Sequence, residues 1–144
     1  MLAATVAAAN PQPAMPVVVI HAPKADLRLE VARTESDREH GLMNRTAVAS
    51  HAGMIFVFES DAAVEFWMKD TLVPLDMVFV AADGTVRTVY PGVPVAPPSL
   101  PDANIPREPG VARYVIELGA GEAQRDGIAP GVALDLHGVP SPAP

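Results

Sequence analysis

The chain has 144 residues, the size of a single domain, and it contains no cysteine. The lack of cysteine excludes a disulfide scaffold, a thiolate zinc site and a cysteine nucleophile. The formal net charge of −7 disfavours the phosphate backbone of nucleic acids as a partner. No apolar segment approaches the ~20 residues that a membrane-spanning helix needs.

The two ends of the chain differ in composition from the rest. Residues 1–16, MLAATVAAANPQPAMP, are small and uncharged, and VAAAN resembles the cleavage region of a secretory signal. Because a basic start is missing, two interpretations remain: a truncated signal of an exported, periplasmic protein, or a disordered tail. Residues 138–144, GVPSPAP, contain few apolar groups and are predicted to fray. The folded domain is therefore predicted to span residues 17–137.

Short strands are predicted along most of this domain. The segment LRLEVAR alternates between apolar and charged residues, which is typical of a half-buried antiparallel strand. The Asp83-Gly84 pair indicates a tight turn between two strands. The predicted strands are VVVI (17–20), LRLEVAR (27–33), GMIFVFE (53–59), VEFWMK (64–69), LDMVFVA (75–81), TVRTVY (85–90), ARYVIEL (112–118) and GVALDLH (131–137).

Two short helices are predicted between the strands. Thr34 is a suitable N-cap, acids follow at Glu35 and Asp37, and a second helix is predicted between the glycines of GAGEAQRDGI. The predicted fold is therefore mostly β (β-rich α+β), an antiparallel sheet forming a partly closed barrel or sandwich with one or two short helices. The apolar strand faces predict these core residues: Phe56, Phe58, Phe66, Met68 and Leu118.

A proline-rich segment lies between the predicted strands TVRTVY (85–90) and ARYVIEL (112–118). Residues 91–110 contain seven of the sixteen prolines, a density that disfavours helices and central strands. Loops of this length inside a compact domain are usually functional or mobile. The segment is predicted to overhang the sheet.

Four blocks of sequence together resemble a known family. They are GLMNR at 41–45, GMIFVFE at 53–59, FWMKDTLVPLDMVFV at 66–80 and YVIELGAG at 114–121. In this order and spacing they resemble DUF192, a prokaryotic family without an established activity, over about residues 27–136. The resemblance implies a β-rich fold, and many members look secreted. The family usually has Asn at the position of Asp70, and many members carry a cysteine before the YVIEL-like strand that is absent here.

The FWMKDT block is the leading candidate for a ligand site. Alternation along a strand places Trp67, Lys69 and Thr71 on one face, opposite the apolar Phe66 and Met68. An exposed indole suits stacking against a sugar, a peptide or another planar ligand, and a lysine suits a carboxylate. In the alternative interpretation, Trp67 packs beneath the proline-rich loop.

Three acids and one arginine complete the set of candidates. Asp70 and Asp76 bracket a turn, where they could perform acid–base chemistry or accept hydrogen bonds from backbone N–H groups. Glu117 faces away from its apolar neighbours, so it either points to solvent or is buried and paired with Lys69 or Arg45. Arg45 could bind an anionic ligand or the carbonyl groups at a helix end.

No metal or cofactor is predicted. The four histidines (21, 40, 51 and 137) lack ligand spacing to one another, and the methionines fit core positions better than a copper site. The leading hypothesis is an exported binding module for a small polar or anionic ligand. The alternatives are a hydrolase-like enzyme using Asp70, Asp76 or Glu117, and a structural or interaction domain without a small-molecule site. The candidate ligand-binding residues are Arg45, Trp67, Lys69, Asp70, Thr71, Asp76 and Glu117.

Overall fold

The computed structural model describes residues 14–144, which form one six-stranded sheet with two short α-helices. The strands lie in the order β1-β2-β3-β6-β4-β5. Among residues 14–144, none of the helices has the length and apolar character needed to cross a bilayer. The elements are β1 (Val17–His21), β2 (Asp26–Ala32), α1 (Glu35–His40), β3 (Ala52–Trp67), β4 (Leu75–Val80), β5 (Val86–Val93), a 3-10 turn (Asp102–Asn104), β6 (Arg107–Gly119) and α2 (Glu122–Arg125).

Local sequence signals explain the ends of helix α1 and the turn before β5. The Oγ1 atom of Thr34 accepts a hydrogen bond from the N–H of Asp37 at 3.0 Å, as expected of an N-cap. Gly41 ends the helix with a φ of 49°, a conformation that glycine adopts without steric cost. At the predicted turn, Asp83 accepts from the N–H of Thr85, and Gly84 has a φ of 89°.

The prediction of a mostly β domain with short helices is confirmed, but the sheet is mixed rather than entirely antiparallel. Strands β2 and β3 pair in parallel, while the other four pairings are antiparallel. Helix α1 lies between β2 and β3 in sequence, and a crossover of this kind is what brings two consecutive strands together in parallel. The sheet does not close into a barrel.

Strand β3 is much longer than predicted, and residues 64–67 are its continuation rather than a separate strand. Met68 and Lys69, predicted to belong to that separate strand, lie beyond the end of β3. Its second half pairs with the first half of β6, and the register shifts between Val57 and Ala62. The rings of Phe56 and Phe66 lie only 4.9 Å apart between centroids, whereas ten residues of straight strand span roughly 33 Å. The two-stranded ribbon formed by residues 62–67 and 107–112 therefore bends back over the sheet.

Two further strand predictions need correction. Pro91 lies within β5 and Pro109 within β6, despite the proline content of this region. Both positions are tolerated because β5 is an edge strand and residues 107–112 of β6 pair only with β3. Residues 131–137 form only an isolated bridge, Thr85 to Ala133, although Leu134 and Leu136 are buried.

The sheet buries apolar side chains on both faces. The first layer packs under α2 and residues 128–136, and includes Ile55, Val78 and Ile116. The second layer packs under the bent ribbon and the end of α1, and includes Met54, Met77 and Phe79. Four of the five predicted core residues, Phe56, Phe66, Met68 and Leu118, are buried, whereas Phe58 is half-buried at the start of the ribbon.

The chain ends lie against the domain where the structure describes them. The carbonyl of Pro16 accepts from the N–H of Val31, whereas residues 1–13 of the predicted signal or tail lie outside the described residues. Residues 138–144, predicted to fray, run beside β2: the N–H of Ala143 and the carbonyl of Ser141 both bond to Arg33.

Gly110 allows the ribbon to cross the ring of Phe79. A Cβ atom at this position would lie 2.4 Å from the Cδ1 atom of that ring. We expect Gly110→Ala to lower the free energy of unfolding by ~1–3 kcal/mol, because the ring or the ribbon must move. Gly138→Ala is the control, since its Cβ would meet nothing within 4 Å. Urea denaturation checks both, and equal losses would contradict this role of Gly110.

Candidate functional site

A small cleft opens between helix α1 and the turn that follows β3. Residues 38–43 form one wall, Trp67, Lys69 and Thr71 contribute to the other, and Glu117 is buried at its base. The cavity volume is about 40 Å³, room for on the order of three water molecules or one end of a larger ligand. This cleft is called the Glu117 cleft below.

Glu117 is a buried acid in apolar surroundings. It lies on β6, and its cross-strand neighbours on the same face are Met54 and Met77 of the second core layer. The residue is only 5% exposed, and within residues 14–144 no hydrogen bond or ion pair to its carboxyl group is present. Burial raises the pKa of Glu117 to about 8. Its carboxyl group is therefore mostly protonated at neutral pH, and the O–H is a hydrogen-bond donor.

Trp67 lies at the rim of the cleft at the end of β3. Its side chain is half-buried, in keeping with the predicted position on the polar face. The ring is already faced by two cations, the guanidinium of Arg107 at 4.2 Å and the ammonium of Lys69 at 5.3 Å from the centroid. A ligand at the rim would share the indole with these cations.

Lys69 bonds to the proline-rich loop rather than to Glu117. Its Nζ lies 2.6 Å from the Oδ2 of Asp102, and this hydrogen bond raises the pKa of Lys69. Asp102 begins the 3-10 turn, so the pair ties the loop to the FWMKDT turn. Lys69 is therefore paired with Asp102 and not with the buried Glu117, for which Lys69 was one of two predicted partners.

Arg45 lies outside the Glu117 cleft. Its guanidinium forms a bidentate ion pair with Glu30, with N–O distances of 2.7 and 3.1 Å. It lines a different depression, beside β2 and residues 47–49. Arg45 is therefore neither a partner of Glu117 nor a neighbour of Trp67.

Asp70 and Thr71 shape the turn beside the cleft. Asp70 is exposed with a φ of 49°, which Asn and Asp tolerate better than most residues, and its carbonyl accepts from the N–H of Asn44. Thr71 is buried, lines the cleft and donates its hydroxyl proton to the carbonyl of Lys69 at 3.1 Å. Its oxygen still has acceptor capacity.

Asp76 serves the backbone on the other face of the sheet. Its carboxylate is 1% exposed and accepts three N–H groups, from Gly92 at 2.8 Å, Ala123 at 2.9 Å and Gly121 at 3.1 Å. Accepting hydrogen bonds from backbone N–H groups was one of the two roles predicted for Asp76, the other being acid–base chemistry. Asp70, Asp76 and Glu117 consequently do not converge on one site.

The sequence patterns do not predict the wall that helix α1 contributes. The Nη1 of Arg38 donates to the carbonyls of Arg33 at 2.7 Å and Val57 at 3.1 Å, which holds α1 against β3. The sequence signal for this wall is Gly41 at the end of the helix. A Cβ atom at this position would lie 3.2 Å from the ring of Phe56, so a larger residue would crowd the ring. A glycine at this point permits the helix end to approach the cleft closely.

The fold and the cleft define a class: a single β-rich domain with a buried, protonated acid at the base of a small surface cleft. The chain belongs to the DUF192 family, described as "Uncharacterized ACR", and the match covers residues 17–136. The resemblance drawn from its sequence blocks is thereby confirmed.

Two solved structures are similar to the chain over most of its length. A candidate transcription regulator from Sinorhizobium meliloti 1021 is 36% identical with a TM-score of 0.73, over 86% of this chain and 96% of that one. A protein of unknown function from Novosphingobium aromaticivorans DSM 12444 is 28% identical with a TM-score of 0.72, over 89% and 91%. No curated protein matches the chain.

Proposed function

We propose that this protein is a binding module that takes one carboxylate, or a similar oxyanion, of a small ligand into the Glu117 cleft. The observation that carries the proposal is a buried acid without a bonding partner at the base of an open cleft. A protonated carboxyl group donates one strong hydrogen bond, and an anionic oxygen is its best acceptor.

The charges around the cleft favour an anion over a cation. Arg38 lines one wall, and Arg107 stands over Trp67 at the rim. Lys69 lines the other wall, where it is paired with Asp102. These positive groups offset the ligand charge without requiring Glu117 to ionise. The small cavity admits one end of a ligand, so the remainder of a peptide, sugar acid or dicarboxylate would lie along the rim.

The overall charge is consistent with a small-molecule ligand rather than nucleic acid. A net charge of −7 opposes binding to phosphate backbones, so DNA binding is not part of the proposal, although one similar protein is described as a transcription regulator. Residues 1–16 support an exported location as part of the proposal, which fractionation of cells expressing the full chain would test.

The hydrolase-like alternative has less support. Enzymes of this kind need a second titratable group beside the acid. Asp76 lies on the other face of the sheet and Asp70 does not line the cleft, so neither of the other two candidate acids stands beside Glu117. Glu39 and His40 are the other titratable groups on the α1 wall, and both are exposed.

Fluorescence of Trp67, the chain's one tryptophan, tests the proposal with acetate as the probe. At pH about 6 we expect a saturable change in emission. At pH about 9.5 only ~3% of Glu117 would be protonated if its pKa is about 8, so the apparent Kd should rise roughly 30-fold. Sodium chloride at equal ionic strength is the control for screening.

Glu117→Gln is the matched variant for this titration. The amide remains a donor at both pH values, so acetate binding should persist and lose its dependence on pH. No response to acetate in the wild-type chain, or an equal response at both pH values, would contradict the proposal. The domain would then be better described as a structural or interaction module.

A further inference from the structure

A second cluster of polar side chains lies beside helix α2. His51 immediately precedes β3, Glu122 begins α2 and Asp126 caps its C-terminus. Their potential ligand atoms all lie within 4.8 Å of one another. Helix α2 packs on the first core layer, so this cluster is separate from the Glu117 cleft, which opens on the second layer.

The two carboxyl groups are buried and each leaves one oxygen without a partner. Glu122 is 3% exposed and Asp126 is fully buried, yet Glu122 Oε2 and Asp126 Oδ2 have no hydrogen bond. The other oxygen of Glu122 is engaged by Ser50 at 2.5 Å and by Arg125 at 3.2 Å. Buried carboxylate oxygens that lack a partner are costly, and a bound cation or a shared proton would remove this cost.

The geometry around His51 fits a compact cation. Its Nδ1 lies 2.8 Å from Asp126 Oδ1 and 3.7 Å from Glu122 Oε2. Ligand atoms around a tetrahedral zinc ion stand roughly 3.3 Å apart, between these two values. One imidazole with two carboxylates suits zinc and similar transition metals better than calcium or magnesium, which prefer all-oxygen sites. The ring of His51 is half-exposed, which leaves a path for the ion and a water ligand.

We propose that His51, Glu122 and Asp126 form a binding site for a divalent transition-metal ion such as Zn²⁺, completed by water. Ser50 and Arg125 hold the Oε1 atom of Glu122 and so direct Oε2 towards the ion. The competing explanation is a proton shared between the two carboxyl groups.

Calorimetric titration of the metal-stripped full chain with Zn²⁺ tests the site. The expected result is one tightly bound ion per chain, with at least tenfold weaker binding in His51→Gln and in Asp126→Asn. His137→Gln is the matched control, because His137 also lies 2.7 Å from an aspartate, Asp135, but both side chains are exposed. This control should bind Zn²⁺ like the wild type.

Imidazole nitrogen shifts in NMR spectra identify which histidine binds the ion, and His51 is expected to move alone. Circular dichroism verifies that each variant folds, and His51→Gln is a folded test even if Asp126→Asn is not, because its ring is half-exposed. No stoichiometric binding to the wild type, or equal affinity in all the variants, would overturn the proposal. If the wild type does not bind Zn²⁺ and Asp126→Asn is at least as stable as the wild type, the two carboxyl groups share a proton instead.

Discussion

Asp76→Ala is expected to lower the free energy of unfolding by about 4 kcal/mol or more. The carboxylate accepts three backbone N–H groups, from Gly92, Gly121 and Ala123, at a position that is 1% exposed. Removing it strands these donors, and it also removes the side-chain link from β4 to Gly92 of β5 and to the start of α2. Urea denaturation measures the loss.

Two comparisons sharpen this prediction. Asp76→Asn retains one acceptor oxygen but points an NH₂ group at a donor, so its loss should be intermediate. Glu59→Ala, at an exposed acid, should change the free energy of unfolding by less than about 0.5 kcal/mol. If Asp76→Ala costs no more than Glu59→Ala, the carboxylate does not hold these elements together.

The second large effect is a dependence of stability on pH caused by Glu117. Its pKa is raised from 4.5 to about 8 in the folded chain, so the folded state retains a proton that the unfolded state releases. The stabilisation is complete below pH 4.5 and is lost as the pH rises through 8. Over this window the free energy of unfolding should fall by roughly 3–5 kcal/mol, at ~1.4 kcal/mol per pH unit.

Glu117→Gln isolates this contribution from that of other titrating groups. Glutamine cannot ionise, so the decline assigned to Glu117 should vanish while the dependence due to the remaining acids and histidines stays. The measurement is a series of urea titrations of both chains across the window. Parallel stability curves for the two chains would show that Glu117 titrates normally.

Much of the fold could be predicted because its signals are local. The alternation in 27–33, the Thr34 cap and the Asp83-Gly84 turn each involve neighbouring residues, and each lies where predicted. The parallel pairing of β2 and β3 also had a local signal, a helix between two strands, although the predicted sheet was antiparallel throughout.

The site could be predicted only in part because its contacts are distant in sequence. Alternation places Glu117 opposite Ile116, but whether that face is covered depends on the ribbon that brings Phe66 back onto Phe56. The donors to Asp76 lie as far as 47 residues away. His51 and Asp126 are separated by 75 residues, so spacing along the chain could not reveal their cluster.

The pKa of Glu117, measured with and without acetate, tests the central claim most directly. The ¹³C chemical shift of its side-chain carboxyl group would be followed across the pH range by NMR. The expected midpoint is about 8 in the free chain, and higher with saturating acetate, because the bound anion requires the proton of Glu117. A midpoint near 4.5, or one that acetate lowers, would contradict a protonated acid that receives an anionic ligand.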